Sequence, residues 1–189
     1  MFSSLRNWLV IAILTTALCG LIYLTIQQNY RQGANDPQIQ IAEDLSQDLA
    51  AGKKIEEVIP KTQVDISKSL APFVIIFDSG KRPTASNAVL DGKIPTLPTG
   101  VFDYVLQHEE DRVTWQPKPD VRIAAVIRNF GGLTSGYILA GRSLREIEIR
   151  EDRLLKHVQL AWAATLAATL ITTIFFGLFI TKRRFKIQN

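Results

Sequence analysis

The sequence predicts an α+β domain built on one antiparallel five-stranded sheet with covering helices, flanked by two transmembrane helices. Three observations predict it. The runs from Trp8 to Ile26 and from Val158 to Ile180 are apolar, 19 and 23 residues long, and contain no Asp, Glu, Lys or Arg. All 18 acidic residues lie between them. The intervening segment reads as short β-branched and aromatic runs separated by Pro, Gly and Asp, with helical patterns before and among them.

At about 1.5 Å per residue the two runs reach roughly 28 and 34 Å, which matches a hydrocarbon layer of roughly 30 Å. Threonines in both runs can bond back to helix carbonyls and so cost little there. Residues 31–157 hold 17 Lys/Arg against 18 Asp/Glu, so the formal +4 of the chain comes from Arg6 and the tail residues Lys182, Arg183, Arg184 and Lys186. Basic residues next to spans stay inside, which predicts both termini cytoplasmic and the loop outside. Arg145, Arg150, Arg153 and Lys156 oppose that bias, but they alternate with Glu146, Glu148, Glu151 and Asp152 on a helix and are neutralised locally. A cleaved signal peptide is the rival for the first run; it would be shorter and would end in a small-x-small site, which Thr25-Ile26-Gln27 does not offer. Leu18 before Cys19 is too large for a lipoprotein box. The expected division is 1–6 cytoplasmic, 7–27 first transmembrane helix, 28–142 extracytoplasmic domain, 143–157 juxtamembrane helix, 158–180 second transmembrane helix and 181–189 basic cytoplasmic tail. The expected location is a bacterial inner (plasma) membrane, crossed twice.

Cys19 is the only cysteine and falls inside the first run, so the domain must be held by its core without a disulfide. Asn-x-Ser/Thr is absent from the sequence. Within the domain, Asp36-Pro37 opens a helix with Asp as N-cap, and Ile41, Leu45 and Leu49 with Ala42 form its apolar stripe, facing either the domain or a dimer seam. Gly52 ends it. Phe73-Val74-Ile75-Ile76-Phe77 is a buried strand closed by Asp78-Ser79-Gly80. Residues 81–98, with three prolines and Asp91-Gly92, hold one short strand and then loop. Phe102, Val105 and Leu106 mark the apolar side of a short helix over 100–108. Val113-Thr114-Trp115 is a strand, and residues 121–130 and 135–139 form an antiparallel pair around Gly131-Gly132. Helices laid over one face of the sheet complete the expected domain. Ser143-Leu144-Arg145-Glu146 is a capping box that starts a rigid helix running into the second span. On it Leu144, Ile147, Glu151, Leu154 and Val158 form a short heptad-like seam.

The layout, with Val113-Thr114-Trp115-Gln116-Pro117 and Gly141-Arg142-Ser143-Leu144-Arg145-Glu146-Ile147-Glu148, resembles the membrane-proximal sensor regions of bacterial sensor histidine kinases. The resemblance implies a PAS-like or single-Cache fold for 28–142. It also implies a sensing role in two-component signal transduction. Such receptors continue into a HAMP relay and a kinase, whereas nine residues follow Ile180 here. The expectation is therefore input without an effector in this chain, working with a partner sensor kinase or as a homodimer.

Neither Gly-x-Ser-x-Gly nor a phosphate-cradling Gly-rich loop occurs, so no enzyme activity, cofactor or metal is expected. His108-Glu109-Glu110-Asp111 carries metal-capable side chains, but as a solvated helix end it would point them apart. Trp115, Arg128 and Tyr137 are the candidate ligand-binding residues for an unknown small ligand, in a cavity beside the strands of 113–139. The plainer alternative makes Trp115 and Tyr137 strand core, and turns Arg122 and Arg128 to water at a sheet face or edge. The basic tail after a span is a headgroup cluster for the lipid bilayer, not a nucleic-acid site. The rival to a sensor is a non-sensing accessory or docking subunit of an envelope or receptor complex.

Overall fold

The computed structural model describes residues 2–132 and 134–187, with side chains described for 5–132 and 134–179. In chain order its first elements are α1 (Phe2–Gly33), α2 (Asp36–Ala50), α3 (Ile55–Val58), β1 (Val64–Asp65), β2 (Phe73–Asp78) and β3 (Pro83–Ser86). There follow β4 (Ala88–Val89), α4 (Thr99–His108), β5 (Glu110–Lys118), β6 (Val121–Phe130), β7 (Gly136–Ser143) and α5 (Arg145–Ile187). The chain divides into two compact units, one formed by 1–30 with 150–189 and the other by Arg31–Ile149.

The first unit contains most of α1 and α5, two helices long and apolar enough to cross a membrane. The threonine hydroxyls bond as their position predicts: Thr16 donates to the carbonyl of Ala12, Thr165 to Ala161, Thr172 to Ala168 and Thr173 to Thr169. The basic side chains of Lys182, Arg183, Arg184 and Lys186 lie outside the described residues.

The second unit is mixed α+β. Its five-stranded antiparallel sheet has the order β3-β2-β7-β6-β5, with β1 and β4 as a separate parallel pair. Because side chains alternate along each strand, β2, β6 and β7 send two sets of apolar groups in opposite directions. Phe73, Ile75, Phe77, Ile123, Ile127, Tyr137 and Leu139 meet Phe102 and Val105 of α4, with Val64 and Leu97 completing that layer. Phe102 sits edge-on to both Phe77 and Tyr137, with ring centroids 5.0 Å apart in each pair. On the other face Val74, Ile76, Phe130 and Ile138 pack on Leu49, with Ile41, Leu45, Ile55 and Val58 beside them, and Ala42 meets Val126 and Ala140. The stripe of α2 therefore packs on its own domain.

Two cores, one on each face, replace the expected arrangement of helices over a single face. The cause is visible in β2, whose Phe73–Phe77 stretch is buried at every position. Full burial of a strand requires cover on both sides.

Local details differ as well. Asn35, not Asp36, is the N-cap of α2, and Pro37 falls in its first turn. Gly52 does take a left-handed conformation just past that helix, at φ +90°. On α4, Leu106 is 60% exposed although Phe102 and Val105 are buried. β5 begins at Glu110 and passes through Pro117 with an irregularity between Trp115 and Lys118, so only His108 of the acidic cluster ends a helix. The capping box does not form as predicted. Ser143 is the last residue of β7, paired with Ile123, and its hydroxyl accepts from the N–H of Arg145 at 3.3 Å.

Asn87, 5% exposed, was not signalled by any motif. Its side-chain oxygen accepts from Val74 N–H at 2.7 Å and its amide nitrogen donates to Thr62 O at 3.0 Å, joining β2 to the segment before β1.

Candidate functional site

β5 is an edge strand, and a groove of about 520 Å³ lies along it. Residues 113–116 form one wall; residues 96–98 and Val101, at the start of α4, form the other. Lys118 holds the end of β5 to the Asp91 turn, its ammonium 2.8 Å from the carboxylate. The ladder parity of β5 decides which of its backbone groups are free of β6. Asn129 N–H donates to Glu109 O at 3.3 Å. Counting in twos from that pair, Asp111, Val113 and Trp115 exchange bonds with β6, and the main-chain groups of Arg112, Thr114 and Gln116 point to the open edge.

No lining residue of the groove carries a formal charge. Its lining combines the polar residues Thr96, Thr114 and Gln116, the last two with main-chain groups at the open edge, with the apolar residues Leu97, Pro98, Val101, Val113 and Trp115. Such a surface is suited to an uncharged ligand with a few hydrogen-bonding groups. It contains no acid, base or nucleophile pair with which to do chemistry.

Of the three candidate residues, Trp115 lines this groove while also belonging to the core at 6% exposure. Tyr137 is buried against Phe102 behind it and does not line the groove. Arg128 projects from the opposite face of the sheet. It is register-paired with Glu110 and reaches its carboxylate at 3.4 Å, while Arg112 holds the other oxygen of Glu110 at 2.7 Å. Arg122 likewise reaches out to the Glu148 carboxylate. The three candidates are therefore not brought together. The wall made by residues 96–98 lies in a proline-rich loop that has no periodicity to reveal it.

A second constellation lies where β7 passes into α5. Leu144 N–H donates to Arg122 O at 2.9 Å, Arg122 bonds the Glu148 carboxylate, Arg145 Nη2 donates to Lys68 O at 2.6 Å and Arg142 Nε to Leu70 O at 3.1 Å. The loop that receives these bonds is shaped by Asp65, whose carboxylate accepts from the Ser67 hydroxyl at 2.6 Å and the Ser67 N–H at 3.0 Å. Those two bonds, with Lys68 nearby, hold the Asp65 carboxyl below its ordinary range. Asp78 is lowered in the same way, first by the backbone N–H of Arg82 and then by its guanidinium.

Among the described residues, no group of three or more His, Cys, Asp or Glu could hold a metal ion. His108 stacks on Tyr104 at 4.0 Å, with Nδ1 3.1 Å from the Tyr104 carbonyl. Comparison with protein-family models, curated proteins and solved structures finds no match.

Proposed function

We propose that this chain is a two-pass inner-membrane sensor protein whose extracytoplasmic PAS/Cache-like domain passes a conformational change to α5. The observation that carries the reading is the junction of β7 with α5. There the first turn of a helix able to span a bilayer is bonded to β6 and to the β1–β2 loop by Leu144, Arg145 and Glu148. A shift of those strands has a direct mechanical route into the helix. The five-stranded antiparallel sheet and the uncharged groove against Trp115 give the reading a place for an input.

Topology is tested with reporters active only outside the cytoplasm. One inserted near Gly92 should be active and one fused after Ile180 inactive; the reverse result would remove the basis for an external sensor. Input is tested by screening uncharged small molecules against the full chain in nanodiscs. A ligand at a hundred times its dissociation constant should stabilise the domain by about 2.7 kcal/mol. It should also change amide exchange at residues 144–149. Ligands that stabilise without touching that exchange would sink the transmission step.

The docking-subunit reading has one observation in its favour. α4 leaves Tyr104 48% and Leu106 60% exposed, and Ile94 is 38% exposed. Retrieval of one stoichiometric envelope partner, lost on Tyr104→Ser with Leu106→Ser, would favour it over sensing.

A further inference from the structure

We propose that α1 and α5 are locked in a single register by two reciprocal indole-to-hydroxyl hydrogen bonds, so that any displacement of α5 carries α1 with it. The inference rests on the reading that both helices cross the bilayer, and it specifies which movements could leave the domain. Trp8 Nε1 donates to Thr169 Oγ1 at 3.2 Å, and Trp162 Nε1 donates to Thr16 Oγ1 at 2.9 Å. Each helix thus supplies one donor and one acceptor. Each acceptor is oriented by its own helix, because Thr169 donates onward to Thr165 O at 2.8 Å and Thr16 to Ala12 O at 2.8 Å. The hydroxyl proton is committed to the helix, which leaves an oxygen lone pair facing the indole.

The two pairs agree on one register. Passing from Trp8 to Thr16 along α1 corresponds to passing from Thr169 back to Trp162 along α5, so the helices run antiparallel. Continuing that register sets Cys19 opposite Val158, and both are half-buried. A slide of α5 against α1 separates both donors from their acceptors together, and Trp162, whose partner Thr16 lies well inside the first apolar run, has no water to turn to in hydrocarbon. A piston of α5 alone breaks both bonds. Tilt or rotation of the pair as one body breaks neither.

The test uses the native Cys19 in the full chain in membranes. Oxidative cross-linking is compared for Val158→Cys, in register, and Leu154→Cys, about one turn away. The expected result is efficient cross-linking of Val158→Cys and little of Leu154→Cys. Adding Thr16→Val with Thr169→Val should lower the ratio between them roughly fivefold, from two lost interhelical bonds. Thr16→Ser with Thr169→Ser keeps the hydroxyls and should restore it. An unchanged ratio in the valine variant, or equal cross-linking of the two positions before it is made, would overturn the lock. Resistance to alkaline extraction, read on the same membranes, tests the membrane reading separately, so either idea can fail without the other.

Discussion

Arg145, the first residue of α5, donates from its guanidinium to the carbonyl of Lys68 at 2.6 Å, across 77 residues of sequence. The bond ties the start of the helix to a loop whose own shape depends on Asp65. Arg145→Ala should speed amide exchange both at residues 144–148 and at residues 66–70, while global stability falls by only about 1 kcal/mol. Faster exchange confined to the helix would show that the loop is held without it.

Ser143→Ala should be nearly silent. Its hydroxyl serves one N–H at 3.3 Å, while Leu144 N–H is already bonded to Arg122 O in the sheet. Exchange should quicken at Arg145 alone, and the loss should stay near the low end of about 0.5 kcal/mol for removing a cap. A loss above about 1.5 kcal/mol would restore the capping box.

Gly141, like Gly136 on the same strand, is a point of close approach in the sheet. It pairs with Phe73, and an added Cβ would strike that ring and lie 3.1 Å from Ile123 Cγ2. Both neighbours are fully enclosed and cannot retreat. Gly141→Ala should destabilise the domain by about 1–3 kcal/mol through overpacking, read from chemical denaturation. Trimming the ring with Gly141→Ala/Phe73→Leu should recover part of that loss.

Much of this fold was legible because the strongest signals are local. The Phe73–Phe77 run, the α2 stripe and the alternation around residues 121–139 each name their own element. What sequence reasoning missed was long-range. Uninterrupted apolar strands such as Phe73–Phe77 and 123–127 signal cover on both faces, but they do not say which helix goes where. Ser143 fits a capping pattern locally, yet the β7 ladder extends to it and pairs it with Ile123. Leu106 follows Phe102 at helical spacing, but the sheet reaches only as far as Val105. Trp115 could be singled out as a strand aromatic, whereas its groove partners 96–98 carry no pattern.

Acid should loosen the domain at Asp65 and Asp78. Both carboxyls are held below their unfolded values, so their contribution is present above the unfolded aspartate range and is lost as pH falls through the lowered folded values. Melting temperature of the full chain should therefore drop below about pH 4. Asp65→Asn/Asp78→Asn should start lower and show a shallower acid limb. An acid limb of unchanged steepness would assign the effect to other carboxylates.

Trp115 and Gln116 should separate stability from binding. Trp115 is buried at 6% exposure in the core below the groove, so Trp115→Ala should cost about 3–5 kcal/mol whatever the groove does. Gln116 is exposed and lines the same groove, and substitutions at such positions stay within about 0.5 kcal/mol. Gln116→Lys puts an ammonium beside a groove with no charged lining residue. A ligand that covered that exposed ammonium would have to strip its water, which opposes an uncharged ligand without disturbing the fold. Any neutral compound that raises the melting temperature of the unsubstituted chain should therefore lose that effect in Gln116→Lys, with the ligand-free melting temperature unchanged. Retained stabilisation would place the ligand elsewhere and leave this groove as an ordinary sheet edge.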